Sequence, residues 1–453
     1  MSLLATSCPL RLPKLGHHTA VVSDGRGIFR SQYFLPEIFV FLDSLMQFLP
    51  GQPLNIRRNH KRWKDPLIDS DRKKRIIEIL SDSSFVAIIC ATPSEVLALT
   101  GYWPVMGASV AVFTSDGDVQ VILPQDEVEL AEKTSAAKLI PYKPSELSAL
   151  TTPIKALADP LREVTTRLKL SSGTIGVELN QGMQPSSYAA AVDFRSSLSR
   201  LLRELHPNAR LAACDGIIEA IESRKTSKEL ELIRKAAEVS DAGFAKAAKC
   251  IQAGERESEV AAAAQAAFEA CTKAESLHRS YGFFFCMSGP NSALASAAYA
   301  RTRQRRIEAG DLVMIHANTC ADGYWTDVTR TYTAGPSLKR HQEMRSAIAE
   351  AREAALNSIH PGVAARNVDK AARSVMEAHG FGKEFKHSTG HGVGFAAANP
   401  NALPRIHPLS PDILEIGMTF NIEPAAYFDG YGGMRHCDVV AVSPNGATVL
   451  TDF

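Results

Sequence analysis

The order of hydrophobic and polar positions divides the chain into two regions with different patterns. In the first region, Phe85–Cys90 is a continuous apolar run of strand length, which is typical of a strand covered on both faces. Apolar runs over residues 108–113 and 119–123 flank an Asp-Gly pair, which predicts a β-hairpin. The other elements predicted in this α/β region are helices over 127–133, 147–170 and 186–205 and a strand over 174–179.

The second region begins near Ser223. Thr226 and Glu229 have the spacing of a capping box, which predicts the start of a long helix with Leu230 and Ile233 on its apolar face. After this helix, glycine-punctuated apolar segments predict strands and longer periodic segments predict helices. The predicted strands cover 312–315, 326–332, 418–422 and 438–442, and the helices cover 258–272, 342–358 and 368–379.

The first residues differ from both regions because they show no clear periodicity. We interpret residues 1–56 as an extension, 57–222 as an N-terminal α/β domain and 223–453 as a second domain. Residues 57–75 carry nine basic and three acidic side chains. This run indicates a solvated helix face, with an anion-attracting patch as the alternative.

Composition narrows the classes of function. The chain has 453 residues, with 50 Lys and Arg against 49 Asp and Glu, so its net charge of +1 argues against a nucleic-acid partner. No run approaches the ~18 apolar residues of a membrane span, so no membrane partner is expected. The eight cysteines are scattered without a CxxC pair, which is typical of a cytoplasmic protein. A transit peptide in the acid-poor first residues is the alternative.

The chain lacks several common catalytic motifs: the phosphate-binding GxxxxGK[ST], the zinc-binding HExxH and the nucleophile elbow GxSxG. What remains is a set of metal-ligand side chains on strand-like or glycine-rich segments. Asp327 lies in an alternating segment, His391 in the run GHGVG, and Glu423 between an apolar run and a proline. Taken singly, Asp327 is typical of a solvent-facing strand residue and Glu423 of a turn residue. Together with His391, they indicate a metal site.

Five sequence blocks identify a resemblance to a known family. Residues 226–453 resemble the catalytic domain of the pita-bread metallopeptidases, which include aminopeptidase P, prolidase, methionine aminopeptidase and the non-metal relative creatinase. The blocks are SGPNSAL (288–294), GDLVMIHANTCADGYWTDVTRTY (310–332), HSTGHGVG (387–394), GMTFNIEPAAY (417–427) and GGMRHCDVVAV (432–442). Residues 60–222 resemble the creatinase-type N-terminal domain. The resemblance implies an α/β N-terminal domain followed by an α+β pita-bread catalytic domain, and a homodimer.

The resemblance also implies a two-metal site with the ligands Asp, Asp, His, Glu and Glu. In this chain those positions hold His316, Asp327, His391, Glu423 and Cys437. Two further family histidines are replaced by Ser296 and Ala398, whereas His387 is kept. With two of four carboxylates gone, two adjacent dications would be underneutralised, so one ion is expected. Imidazole and thiolate favour Zn or Fe, and Mn is the family alternative. For His316 and Cys437, buried non-ligands are an equally good interpretation.

The leading functional hypothesis is a metal-dependent hydrolase of the prolidase or aminopeptidase P type that acts on a small peptide or amide. Its catalytic candidates are His387 and Glu423, with Arg330 and Arg435 bracing the site. The first alternative is a creatinase-like or lyase-type enzyme that uses one metal ion or none. The second is a non-catalytic peptide- or protein-binding domain.

Overall fold

The computed structural model describes residues 70–105, 108–145, 147–148, 150–179, 195–271, 277–296, 302–399 and 402–453. The predicted extension 1–56, residues 57–69 of the basic run and residues 186–194 of a predicted helix lie outside this part of the chain. The described residues all belong to one compact unit.

The first half of the described chain is an α/β unit built on a six-stranded sheet. Its strand order is β4–β3–β2–β1–β5–β6, and β1 pairs antiparallel with β2 and parallel with β5. The strands are β1 (Phe85–Cys90), β2 (Val110–Thr114), β3 (Val119–Pro124), β4 (Lys138–Tyr142), β5 (Gly173–Val177) and β6 (Ala209–Ala213). The helices are α1 (Ser70–Ser81), α2 (Pro93–Thr100), α3 (Val128–Thr134), α4 (Pro153–Arg167), α5 (Arg195–Leu205) and α6 (Asp215–Ser223).

Two predictions for this unit are confirmed and one is wrong in its boundary. The strand Phe85–Cys90 has the predicted bounds, and the β2–β3 hairpin turns at Gly117, whose φ of +90° favours glycine. The helix expected from residue 147 begins only at Pro153. Proline is favoured in the first turn of a helix and disfavours helical backbone in the residue before it, so the helix starts there.

The second half of the described chain combines long helices with short antiparallel sheets. The helices are α7 (Ser227–Cys250), α8 (Glu257–Cys271), α9 (Pro290–Ala293), α10 (Lys339–Asn357) and α11 (Ala365–Ala378). The strands are β7 (Ser280–Ser288), β8 (Leu312–Ala321), β9 (Tyr324–Thr333), β10 (Thr419–Ile422), β11 (Ala425–Phe428), β12 (Gly432–Arg435), β13 (Asp438–Ser443) and β14 (Gly446–Val449). The sheets are β7–β8–β9, β10–β13–β14 and β11–β12.

The start of α7 is held by a local capping box and by tertiary contacts. Thr226 and Glu229 form the predicted capping box, in which each side chain hydrogen-bonds to the other residue's backbone N–H. The Glu229 carboxylate also pairs with buried Arg72 of α1 and accepts a 3.1 Å hydrogen bond from the Tyr324 hydroxyl. One side chain therefore stabilises α7 and joins it to both the α/β unit and β9.

No helix among the described residues combines the length and the apolar character needed to cross a membrane.

Candidate active site

The β8–β9 pairing brings His316 and Asp327 together. His316 lies opposite Thr329 in the register, and Asp327 lies opposite Asn318. His316 Nδ1 is 3.0 Å from Thr329 Oγ1 and 3.5 Å from Asp327 Oδ1. Because His316 and Asp327 are only 2% and 5% exposed, their side chains interact inside the protein and not through solvent.

A glycine-rich segment packed against β10 carries His391 to the same place. A Cβ at Gly390 would lie 1.9 Å from the Asn421 carbonyl oxygen, so only glycine allows this approach. The Asn421 N–H donates to the His391 carbonyl at 3.0 Å. As a result, His391 Nε2 lies 3.6 Å from Asp327 Oδ2 and 4.0 Å from Glu423 Oε1. The sequence-predicted Asp327, His391 and Glu423 thus come together.

Arg435 lies at the side of this cluster and is 5% exposed. Its Nε donates to Thr329 Oγ1 at 3.0 Å, and its Nη2 lies 3.2 Å from His316 Nδ1. Its Nη1 is 3.4 Å from the Tyr427 hydroxyl and 3.8 Å from Glu423 Oε2. The guanidinium therefore contacts the cluster from within the protein.

His387 reaches the site through Tyr427. The ring nitrogen Nδ1 of His387 lies 2.7 Å from the Ser388 carbonyl, which can only accept, so Nδ1 carries the proton and Nε2 faces the Tyr427 hydroxyl at 3.0 Å. Burial lowers the pKa of His387 to about 4 and raises that of Tyr427 to about 12. Sequence reasoning missed Tyr427; its place four residues after Glu423, within the quoted block, was the available signal.

Cys437 and Arg330 hydrogen-bond mainly to backbone groups and not to the clustered side chains. The Cys437 thiol donates to the Asp327 backbone carbonyl at 3.2 Å, and burial raises its pKa well above the usual value. Arg330 has the opposite strand parity from Asp327, so its side chain lies on the other face of β9. There it donates to the Cys437 carbonyl at 2.7 Å and to Asp438 Oδ1 at 2.7 Å. Arg330 thus contacts the backbone behind the site, not the clustered side chains.

The electrostatics of the cluster follow from burial and mutual charge. Burial raises the pKa of Asp327, but His316 and His391 outweigh that effect and lower it. Burial lowers the pKa of His391, but Asp327 and Glu423 outweigh that effect and raise it to about 9. Burial raises the pKa of Glu423, which Arg435 only partly offsets. Burial lowers the pKa of His316 to about 4, so this imidazole is neutral.

The donor set does not fit the two-ion site that the resemblance implies. The Cys437 thiol is used by a backbone carbonyl, and His316 Nδ1 faces a guanidinium. Within the described ranges, no group of three or more His, Cys, Asp or Glu side chains is arranged so that it could hold a metal ion. Asp327 Oδ1 is buried there without a hydrogen-bond partner.

The replaced family positions, Ser296 and Ala398, carry no titratable side chain. Ser296 ends a short 3₁₀ turn (Leu294–Ser296), and its hydroxyl faces the Ala293 carbonyl at 3.4 Å. Ala398 follows the glycine-rich segment. The ring of Phe285 on β7 stacks on the His316 ring, with 6.0 Å between the two ring centroids, so His316 has an aromatic neighbour.

Comparisons with known proteins show which families this chain resembles. Residues 231–444 match the model of metallopeptidase family M24. A Xaa-Pro dipeptidase from Pyrococcus furiosus is 28% identical over 84% of this chain and 97% of its own length. A probable dipeptidase PepE from Mycobacterium tuberculosis is 33% identical over 52% of this chain and 60% of its own.

Solved structures extend the likeness to both halves of the chain. The prolidase from Pyrococcus horikoshii OT3 covers 84% of this chain and 98% of its own, with 26% identity and a TM-score of 0.68. The X-Pro aminopeptidase from Thermotoga maritima shares the fold over 84% of this chain and 98% of its own, with 22% identity and a TM-score of 0.68. The predicted fold class, an α/β N-terminal domain before a pita-bread domain, is confirmed. Residues 231–444 therefore match metallopeptidase family M24, and the described part of the chain has the fold of the prolidases.

Proposed function

We propose that this chain is a hydrolase of the Xaa-Pro peptidase type that acts on a small peptide or amide. One observation carries the proposal: the similarity to a Xaa-Pro dipeptidase extends over 84% of this chain and 97% of that protein. The match to metallopeptidase family M24 supports the hydrolase class independently. The reacting bond would lie beside Asp327, His391 and Glu423.

The charges of the site suit the ends and the central bond of a short peptide. Glu423 and Asp327 offer acidic groups to an amino terminus, and Arg435 offers a cation to a carbonyl or carboxylate oxygen. The guanidinium Nη1 lies 3.4 Å from the Tyr427 hydroxyl, whose proton is directed to His387 Nε2, so a substrate oxygen beside them would meet the guanidinium N–H groups as its donors. Such preorganised donors stabilise negative charge that develops on an oxygen during amide cleavage.

Proton transfer is assigned to Glu423 and His387. Because burial raises the Glu423 pKa, this carboxylate is suited to take a proton from the water that attacks the carbonyl carbon and to pass it to the leaving nitrogen as the C–N bond breaks. His387 Nε2 faces the Tyr427 hydroxyl and keeps its lone pair towards the site, since its Nδ1 is fixed by the Ser388 carbonyl. Arg330 acts indirectly, through the backbone of Cys437.

The use of divalent metals is a property of the family. For this chain we propose at most one ion, Zn, Fe or Mn. Its ligands would be Asp327, His391 and Glu423, whose side chains would have to rearrange to surround it. When bound, such an ion would polarise the carbonyl that is cleaved. Two equivalents of metal that survive dialysis would contradict this count.

A creatinase-like non-peptidase reaction is the second candidate function. The observation that favours it is the pairing of His316 with Arg435 and of Cys437 with a backbone carbonyl, which differs from a two-metal peptidase site. A cytoplasmic location and a homodimer complete the proposal, both as predictions.

The test is a panel of Xaa-Pro dipeptides and non-proline dipeptides, assayed with elemental analysis of the same preparation. We expect slow, proline-directed cleavage that is lost in Asp327→Ala and kept in the control Asp159→Ala, whose carboxylate is exposed on α4. No cleavage of any dipeptide by a folded, metal-supplemented chain would contradict the peptidase proposal and favour the creatinase-like reaction.

A further inference from the structure

Two buried side chains stand where the resemblance implies carboxylate ligands. His316 is 2% exposed and Cys437 is fully buried. Both are in strand contact with Thr329, because β8 pairs His316 with Thr329 and an isolated bridge pairs Thr329 with Cys437. Whether either one ligates a metal ion depends on where its lone pairs and protons already lie.

The metal-binding lone pair of His316 is already in use. Its Nδ1 lies 3.2 Å from Arg435 Nη2 and 3.0 Å from Thr329 Oγ1. A guanidinium has no acceptor, so Nδ1 must accept the hydrogen bond from Arg435. The neutral imidazole then carries its proton on Nε2. Neither ring nitrogen presents a free lone pair, so His316 is held as a neutral hydrogen-bond acceptor.

The Cys437 sulfur is also committed. A metal ligand must be a thiolate, whereas the Cys437 sulfur donates its proton to the Asp327 carbonyl at 3.2 Å. Backbone hydrogen bonds of 3.1 and 3.3 Å between Cys437 and Thr329 fix this strand segment. A thiolate at this position would face a carbonyl oxygen, which repels it.

Arg435 supplies a positive charge in the same place. Its guanidinium contacts His316 and Thr329, and Nη1 lies 3.8 Å from the Glu423 carboxylate. The hydrogen bond from this guanidinium is what keeps His316 Nδ1 an acceptor.

We infer that His316 and Cys437 are not metal ligands, because Arg435 holds His316 as a hydrogen-bond acceptor and the Cys437 thiol donates to a backbone carbonyl. We name His316, Thr329, Arg435 and Cys437 the arginine half of the site, and Asp327, His391 and Glu423 the carboxylate half. Any ion that binds takes its protein ligands from the carboxylate half. This inference stands on hydrogen-bond geometry and does not require the proposed peptidase function.

Cobalt binding tests the inference without reference to activity. The full chain is stripped with EDTA and titrated with Co²⁺, and the bound metal is measured by elemental analysis and by absorbance. Cobalt bound to a thiolate absorbs in the near ultraviolet. We expect about one equivalent or less, with no thiolate band. His316→Ala and Cys437→Ala should bind as much as the wild type, and His391→Ala should bind less.

A gain-of-function variant covers the case in which the wild type binds no cobalt. We expect a folded His316→Asp, Cys437→Glu double variant to take up more Co²⁺ than the wild type, because both missing carboxylates are restored. The inference is overturned by a thiolate band that Cys437→Ala removes, by metal loss in His316→Ala, or by a folded double variant with no added uptake. Absent dipeptide cleavage with the expected cobalt results would sink only the proposed function.

Discussion

The two halves of the site share β9, which carries Asp327 and Thr329, but they balance buried charge in different ways. In the carboxylate half, Asp327 and Glu423 face His391 at 3.6 and 4.0 Å, which is too far for hydrogen bonds. In the arginine half, His316 and Thr329 bond the Arg435 guanidinium at 3.2 and 3.0 Å. The first half has loose contacts that a substrate or an ion can enter, whereas the second is closed by the protein's own hydrogen bonds.

This difference shows that a metallopeptidase fold can keep its strands while the net charge of its site changes. His316 and Cys437 are both neutral in the folded protein, because burial lowers the imidazole pKa and raises the thiol pKa. Two neutral groups therefore stand where the family pattern has two carboxylates. The fixed charge of Arg435 then has to balance only the two acids that remain.

The largest expected effect is on activity through the carboxylate half. Asp327→Ala and His391→Ala should each lower turnover by about 100-fold or more, because even a group that only supports a metal ligand is worth about 10–100-fold and any bound metal should be lost with these two. Steady-state kinetics on a cleaved dipeptide would measure it. His360→Ala, at an exposed histidine, is the control. Wild-type turnover in either site variant would mean that the reaction occurs elsewhere.

The next effect is on stability through the arginine half. Arg435→Met should lower the free energy of unfolding by about 2–5 kcal/mol, because it leaves Glu423 and His316 buried without their cation. Urea denaturation would measure the change, with Arg345→Met on the exposed face of α10 as the control. If both substitutions lower the free energy of unfolding equally, Arg435 does not stabilise the arginine half through its charge.

Converting the arginine half back to the family pattern should raise activity. The wild type should cleave Gly-Pro or Ala-Pro weakly, and His316→Asp, Cys437→Glu, Ser296→His should speed cleavage by about 10–100-fold, since restored ligands and their supporting groups are worth that much. Initial rates with added Mn²⁺ would show it. Efficient cleavage by the wild type would refute the idea that these positions limit it.

The pKa values of His316 and His391 should be shifted in opposite directions in the metal-free chain. The pKa of His316 is lowered to about 4 by burial, so its contribution to stability is complete above its ordinary value of about 6.5 and is lost as the pH falls through 4. The pKa of His391 is raised to about 9 despite burial, by Asp327 and Glu423. Its contribution is complete below 6.5 and is lost as the pH rises through 9.

Histidine NMR signals, assigned with His316→Gln and His391→Gln, would measure both values. Each full proton of difference between the folded and unfolded states tilts the unfolding free energy by about 1.4 kcal/mol per pH unit. Two imidazoles that titrate together near 6.5 would remove the distinction between the halves.

The smallest effect is expected from the thiol. Cys437→Ala should lower the free energy of unfolding by about 1 kcal/mol, because it loses one weak thiol hydrogen bond and a small buried volume. Thermal or urea denaturation would measure it, with the exposed Cys271→Ala as the control. A much larger loss that depends on added metal would indicate that the sulfur is a ligand.

Local rules predicted the elements whose signals lie within a few residues. The capping box at Thr226 and Glu229 and the hairpin at Gly117 depend on side chains and backbone angles close in sequence, and both are confirmed. The start of α4 was predicted too early because the polar-apolar rhythm continues before Pro153, whereas the helix begins at the proline. Apolar periodicity alone does not locate such a boundary.

The candidate site was predictable as a set of residues but not as a set of contacts. The family blocks pointed to Asp327, His391 and Glu423, which the structure brings together. The bond between Arg435 and His316 joins residues 119 positions apart and depends on strand register, which no local pattern contains. For the same reason the sequence could not show that Arg330 points to Asp438 behind β9.

Anomalous diffraction from crystals soaked in Zn²⁺ tests the central claim most directly, because it locates each ion without reference to activity. The account predicts at most one anomalous peak, beside His391 and Glu423, and the Arg435 guanidinium still in contact with His316. A peak within coordination distance of both His316 Nδ1 and Cys437 Sγ, with Arg435 displaced, would contradict it.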